Sequence, residues 1–108
     1  MGLYERLGGF TDPNPKISVH GFFGAMQEFS LGNMTAAQIT TRYSLTAGEQ
    51  TEAATLRNKI VEPTHADPAV QSALRYIRAF EYENVLIQLE HRSAPYTTVA
   101  AVKTRLGV

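Results

Sequence analysis

The stretch from residue 35 to residue 49, TAAQITTRYSLTAGE, decides the fold because it contains two helix-start signals eleven residues apart. Thr35 with Gln38, and Thr46 with Glu49, match the capping box. In this motif a hydroxyl accepts a hydrogen bond from a free helical N–H, and the residue three positions later reaches back. The pattern predicts two short helices joined by a tight turn, the shape of a helix–turn–helix unit.

The first of these helices should span about 36–43 and bury Ile39 and Tyr43. The second should begin at Thr46 and end before Pro63, because proline cannot continue a helix. Its apolar residues recur at helical spacing and predict its inward face: Ala53, Leu56 and Ile60.

Upstream, a helix should run from about Ser18 to Leu31, ending where Gly32 tolerates a left-handed backbone. Apolar residues at three- and four-residue steps form one stripe along it: Val19, Phe22, Phe23, Met26 and Phe29. Such a stripe is typical of a helix that packs in the core.

Downstream, Asp67 and Pro68 are the residues preferred at the N-cap and at the first position of a helix. A long helix should follow, to about His91, with two apolar stripes. One stripe contains Val70, Leu74, Ile77, Val85 and Leu89, and the other contains Ala73, Tyr76, Phe80 and Ile87. Two stripes are too wide for one contact, so the helix either packs on both sides or leaves one side for a partner.

A last short helix should begin after Thr97 or Thr98 and end at Gly107. Its inward residues should be Val99, Val102 and Leu106. The predicted fold class is therefore all-α: a small bundle of four to five helices over residues 18–108, with an irregular, extended N-terminal arm over residues 1–17.

The arm is predicted because Gly8-Gly9 and Pro13-Asn14-Pro15 interrupt any regular period. It nevertheless contains four large apolar residues: Leu3, Tyr4, Leu7 and Phe10. Two interpretations stay open. The arm packs across its own helical body, or it docks on a partner or a neighbouring subunit.

Composition argues against several classes of protein. Ten Lys and Arg residues balance ten Asp and Glu residues, and a protein that relies on phosphate contacts usually has a basic excess. Two carboxylates, Glu49 and Glu52, also stand early in the helix that a helix–turn–helix module would place in DNA. A small DNA-binding regulator is the alternative hypothesis, and nucleic acid is not the expected partner. The N-terminal sequence matches neither a signal peptide nor a membrane span.

Residues that carry chemistry do not form a recognisable site. Cysteine is absent, which excludes disulfides and thiolate chemistry. His20, His65 and His91 each lack a second ligand at metal-pair spacing, and Glu81 and Glu83 point to different faces of a helix. We therefore expect no catalytic residues, no metal and no cofactor, and a protein that is not an enzyme.

Several segments nevertheless resemble a family of small phage and prophage virion proteins. They are LYERLGGFTDPNPKISVHGF, FFGAMQEFSLGNMTAAQI, SLTAGEQTEAATL and VLIQLEHRSAPYTTVAAVKTRLGV. The resemblance covers nearly the whole chain, but its motifs are mostly helix starts and turns. It implies a structural or interaction protein of a tailed bacteriophage particle, associated with the capsid, neck, tail or fibre. Such a protein is made in the host cytoplasm, ends in the virion and assembles in multiple copies on other virion proteins.

The residues expected to contact a partner follow from apolar character outside a single packing face. They are Leu3, Tyr4, Leu7 and Phe10 in the arm, with Tyr76, Phe80 and Tyr82 on the long helix.

Overall fold

The structure of the chain is a computed structural model that describes residues 2–10 and 15–108. It contains six helices and, within those ranges, no strand. The helices are α1 (Leu3–Gly8), α2 (Val19–Ser30), α3 (Ala36–Tyr43), α4 (Ala47–Ile60), α5 (Pro68–Glu90) and α6 (Val99–Leu106). The predicted all-α class is confirmed.

The helix starts lie where the sequence predicts them. Thr35 and Thr46 both form complete capping boxes, in which each hydroxyl accepts from the backbone N–H three residues later, at 3.1 Å and 3.2 Å respectively. Asp67 caps α5 and accepts from the Ala69 N–H at 2.9 Å. Thr98, one of the two predicted candidates, caps α6.

The N-terminal segment differs from its prediction. Residues 3–8 form helix α1 rather than an extended arm, which raises the number of helices from the expected four or five to six. The glycines end this helix instead of preventing it, because Gly9 adopts the left-handed backbone with φ 79° and its N–H donates to Glu5. Residue 1 and residues 11–14, which belong to the predicted arm, lie outside the described part of the chain.

One hydrophobic core joins the helices, and the second half of α5 runs through its middle. The buried α5 residues begin only at Ala79 and continue through Tyr82, Val85, Leu86 and Leu89. Helices α1, α2, α4 and α6 all pack against α5. Phe22 and Phe23 of α2 are fully buried with their rings edge to face at 5.8 Å. Burying each such ring stabilises the fold by roughly 1.5–3 kcal/mol before entropy is counted.

Candidate functional site

The first half of α5 carries an apolar surface that no part of the described chain covers. Its members are Ala69, Val70, Ala73, Tyr76, Ile77 and Phe80, all exposed, and we call this set the apolar face of α5. Ile77 is 61% exposed, Phe80 59% and Tyr76 45%. These values are high for large apolar side chains that lie side by side on one helix.

The apolar face points away from the body because of where two arginines lie. Arg75 donates to the Ser30 carbonyl at 3.2 Å, and Arg78 donates to the Lys59 carbonyl at 3.1 Å. These carbonyls are at the C-terminal ends of α2 and α4, where cations complement the helix dipole. The arginines therefore occupy the inward side of α5, and the apolar residues between them face water.

Two of the seven predicted contact residues, Tyr76 and Phe80, lie on this face. Tyr82 does not, since it is 4% exposed and packs in the core. Its position on the inward side follows from the helical period, because it lies one turn beyond Arg78, which donates to its hydroxyl at 3.3 Å. The expectation that Tyr82 belongs to a contact surface is corrected accordingly.

The residues of the predicted arm are also mostly internal. Leu3, Tyr4 and Leu7 are at most 1% exposed and belong to the same core as α2 and α5. The structure thus shows the first of the two interpretations, packing across the chain's own body, and the expectation of a docking arm is corrected for these three residues. They become internal because α1 forms a regular helix with one apolar side.

Phe10 is the one predicted arm residue that stays partly exposed, at 38%. The Arg92 guanidinium lies 3.7 Å above its ring, and Arg92 also donates to the Gly8 carbonyl at 2.7 Å. A cation at this distance attracts the ring electrostatically. Phe10 is therefore held against the end of α5 by its own chain.

A buried ion pair fixes α1 on the body, and sequence reasoning missed it. The Arg6 guanidinium donates to the Glu49 carboxylate at 2.9 Å, to the Pro15 carbonyl at 2.9 Å and to the Tyr43 carbonyl at 3.0 Å. The side chains of Arg6 and Glu49 are 4% and 0% exposed. Glu49 also accepts a hydrogen bond from the Thr46 N–H. Its carboxylate therefore completes the capping box and binds Arg6 at the same time.

Ile77 and Val70 were also missed as contact residues, since the sequence analysis placed them in a stripe from which it chose no contact residue. A signal for them was present. Residues 70, 73, 77 and 80 are apolar at alternating three- and four-residue steps, with arginines only on the opposite side. The core-facing residues of the same helix begin nine positions after Val70, at Ala79.

Within residues 2–10 and 15–108, no group of three His, Asp or Glu side chains is placed to hold a metal ion. A groove of about 180 Å³ lies beside Tyr4, Glu52 and Lys103, where the ammonium is 3.8 Å from the carboxylate and neutralises it. No helix of the described chain is both long enough and apolar enough to cross a membrane.

The apolar face of α5 is thus the feature that distinguishes this surface from that of an ordinary small globule. No protein-family model, curated protein or solved structure matches the chain significantly.

Proposed function

We propose that this protein is a structural or interaction component of a tailed bacteriophage particle that binds other virion proteins through apolar surface. It would be associated with the capsid, neck, tail or fibre and be present in multiple copies in the virion after synthesis in the host cytoplasm. The assignment to a virion rests on the sequence resemblance. The assignment to an interaction role rests on the apolar face of α5.

The single observation that carries the interaction role is the exposure of Tyr76, Ile77 and Phe80 on one helix face. Burying apolar side chains is the main favourable term in folding and in association. In α5 three large apolar residues face water while the arginines lie on the inward side. Burying these residues against a partner can therefore still supply favourable free energy.

The alternative, a helix–turn–helix DNA-binding regulator, has less support. Helices α3 and α4 do have the expected order, and Thr46 does begin α4. However, α1 covers the start of α4: Glu49 is bound to Arg6, and Glu52 accepts from the Leu3 N–H at 3.1 Å. A recognition helix needs its first turns free to reach base edges. A titration with labelled duplex DNA at low salt tests this alternative, which requires tight binding that weakens steeply with added salt.

The test of the proposal is mass spectrometry of purified particles from cells that carry the gene. We expect the protein in the particles at multiple copies, and we expect Ile77→Lys to lower its amount there at least about tenfold, because a charge in an apolar interface costs binding energy. Asn58→Lys is the matched control, since Asn58 is exposed on α4 and lies off the apolar face. Finding the protein only in the lysate, never in particles, would overturn the proposal.

A further inference from the structure

We propose that the apolar face of α5 pairs with the same face of a second copy, with the two helices antiparallel, which deepens the proposed function by naming the partner. The inference rests on that function only in treating this face as a docking surface. The geometry of the pair depends on the residues of α5 alone.

The first reason is spacing. Val70, Ala73, Ile77 and Phe80 follow one another at steps of three, four and three residues. This is the repeat with which one helix packs into the holes of another, and Ala69 and Tyr76 widen it on one side. The occupant that fits the face is therefore a helix with the same spacing.

The second reason is that the face is complementary to itself when reversed. In an antiparallel pair centred between Ala73 and Ile77, Val70 of each copy opposes Phe80 of the other, and Ala73 opposes Ile77. Every layer then combines a smaller side chain with a larger one, which keeps the helix separation even. A parallel pair in register would instead stack Phe80 on Phe80 and Ala73 on Ala73, so the layers would differ in width.

The third reason is charge. The apolar face contains no Asp, Glu, Lys or Arg, because Arg75 and Arg78 bind the carbonyls of Ser30 and Lys59 on the opposite side of α5. Two copies can therefore approach without repulsion between like charges. A two-fold pair of this kind is isologous, the commonest arrangement among soluble oligomers.

The area agrees with a specific, modest association. With its three largest side chains about half exposed, two such faces together bury on the order of 1,000 Å², close to the lower limit for a biological interface. The partner helix also supplies what α5 lacks. Among the described residues, positions 68–78 contribute no buried side chain to the chain's own core. A second copy would therefore give this half of the helix extensive apolar packing.

The first experiment is sedimentation equilibrium of the purified full chain over a concentration range of about 1–300 μM, the range in which a modest interface dissociates. We expect twice the chain mass at the upper end. Ile77→Lys should weaken association about 100-fold, the size of effect found for central interface residues. Asn58→Lys should leave association unchanged, and circular dichroism verifies that both variants fold. A wild-type chain that stays monomeric throughout the range overturns the inference.

The second experiment determines the orientation, and it is clean because the natural chain has no cysteine. Chains with Ala73→Cys and chains with Ile77→Cys are mixed and oxidised under mild conditions. The antiparallel pair places residue 73 opposite residue 77, so the mixed disulfide should clearly exceed the half of all links that random pairing of equal amounts would give. A predominance of the link between two Ala73→Cys chains would show a parallel pair and overturn the proposed arrangement.

The two proposals can fail separately. If the wild-type chain is monomeric but Ile77→Lys is lost from particles, the face binds a different virion protein: the inference about a second copy is overturned and the proposed function stands. If the chain dimerises as expected but never enters particles, the proposed function is overturned and the pairing stands.

Discussion

Helix α1 and the first half of α5 are both rich in apolar residues, yet one lies in the core and the other faces water. In α1, Leu3 and Leu7 are fully buried. In α5, Ile77 and Phe80 are the most exposed large apolar residues of the described chain. Apolar content is therefore a poor guide to which of two segments is available for a partner.

What separates the two regions is where their arginines bind. Arg6 binds the buried Glu49, and α1 packs in the core beside this pair. Arg75 and Arg78 donate to the carbonyls at the ends of neighbouring helices, so this half of α5 lies at the edge of the body. A buried guanidinium needs a full set of acceptors. Arg6 has a buried carboxylate, Glu49, whereas the carboxylate nearest Arg78, that of the exposed Glu62, lies 3.9 Å away.

The largest effect should come from breaking that buried pair. Glu49→Ala should lower the free energy of unfolding by about 3–5 kcal/mol, because it leaves the Arg6 guanidinium buried without its counter-charge. Urea denaturation measures the change. Glu28→Ala is the control, since Glu28 is exposed on α2 and should change stability little.

A double variant sharpens this prediction. Arg6→Met combined with Glu49→Leu removes both charges, and it should recover most of the lost stability because apolar side chains of similar volume often replace buried ion pairs well. If Glu49→Ala alone costs less than about 1 kcal/mol, Arg6 has moved to solvent and α1 is not fixed by the pair.

The next effect compares the two regions directly. Leu7→Ala should cost about 3 kcal/mol, because it leaves a cavity in the core. Ile77→Ala should change the stability of the monomer by less than about 0.5 kcal/mol, because the side chain is already in water. Both are measured by urea denaturation at sub-micromolar concentration, where copies are separate. Equal costs at the two positions would contradict the difference between α1 and α5.

Local signals in the sequence were sufficient for most of the fold. The caps at Thr35, Thr46 and Asp67 depend on side chains within three residues of the backbone they serve, so the pattern predicts them directly. The core stripe of α2 likewise follows from its own period, although Phe29 is only partly buried.

Long-range partners could not be predicted in the same way. The sequence predicts the capping role of Glu49 but not its ion pair, because only the fold brings Arg6 across 43 positions to meet it. The same contact explains why α1 is internal. For α5, two stripes were visible in the sequence, but the exposed face takes residues from both, because the inward side of this half is set by the helix ends that Arg75 and Arg78 bind.

A smaller effect tests how the capping box supports the buried pair. Thr46→Ala should cost about 1 kcal/mol, because the hydroxyl caps α4 and the box also orients Glu49 toward Arg6. Thr35→Ala removes a cap of the same type, but its partner Gln38 is exposed, so the loss should be nearer about 0.5 kcal/mol. Equal losses in thermal and urea melts would show that the Thr46 box acts on α4 alone.

The smallest effect at neutral pH concerns the one polar atom that α1 carries into the core without a partner. The Tyr4 hydroxyl is buried and makes no hydrogen bond within the described residues. Tyr4→Phe removes an unsatisfied group without changing the shape of the side chain, so stability should stay within about 0.5 kcal/mol or rise slightly.

At high pH the same substitution should have a clear effect, because burial, then the charge of Glu52 and then that of Tyr82, raise the pKa of Tyr4 above its ordinary value of 10.0. The unfolded chain releases the phenol proton near this ordinary pKa, while the folded chain keeps the proton. The wild type therefore loses stability as the pH rises above the ordinary pKa. Tyr4→Phe should lose less, and its advantage over the wild type should be constant below about pH 9 and grow above pH 10. Ile77→Ala provides the contrast from the apolar face of α5, since it removes no titratable group and should leave the pH profile of urea melts unchanged. If both substitutions give the same dependence of stability on pH, the Tyr4 ring is accessible to water. In that case α1 is not internal, and it does not differ from the first half of α5.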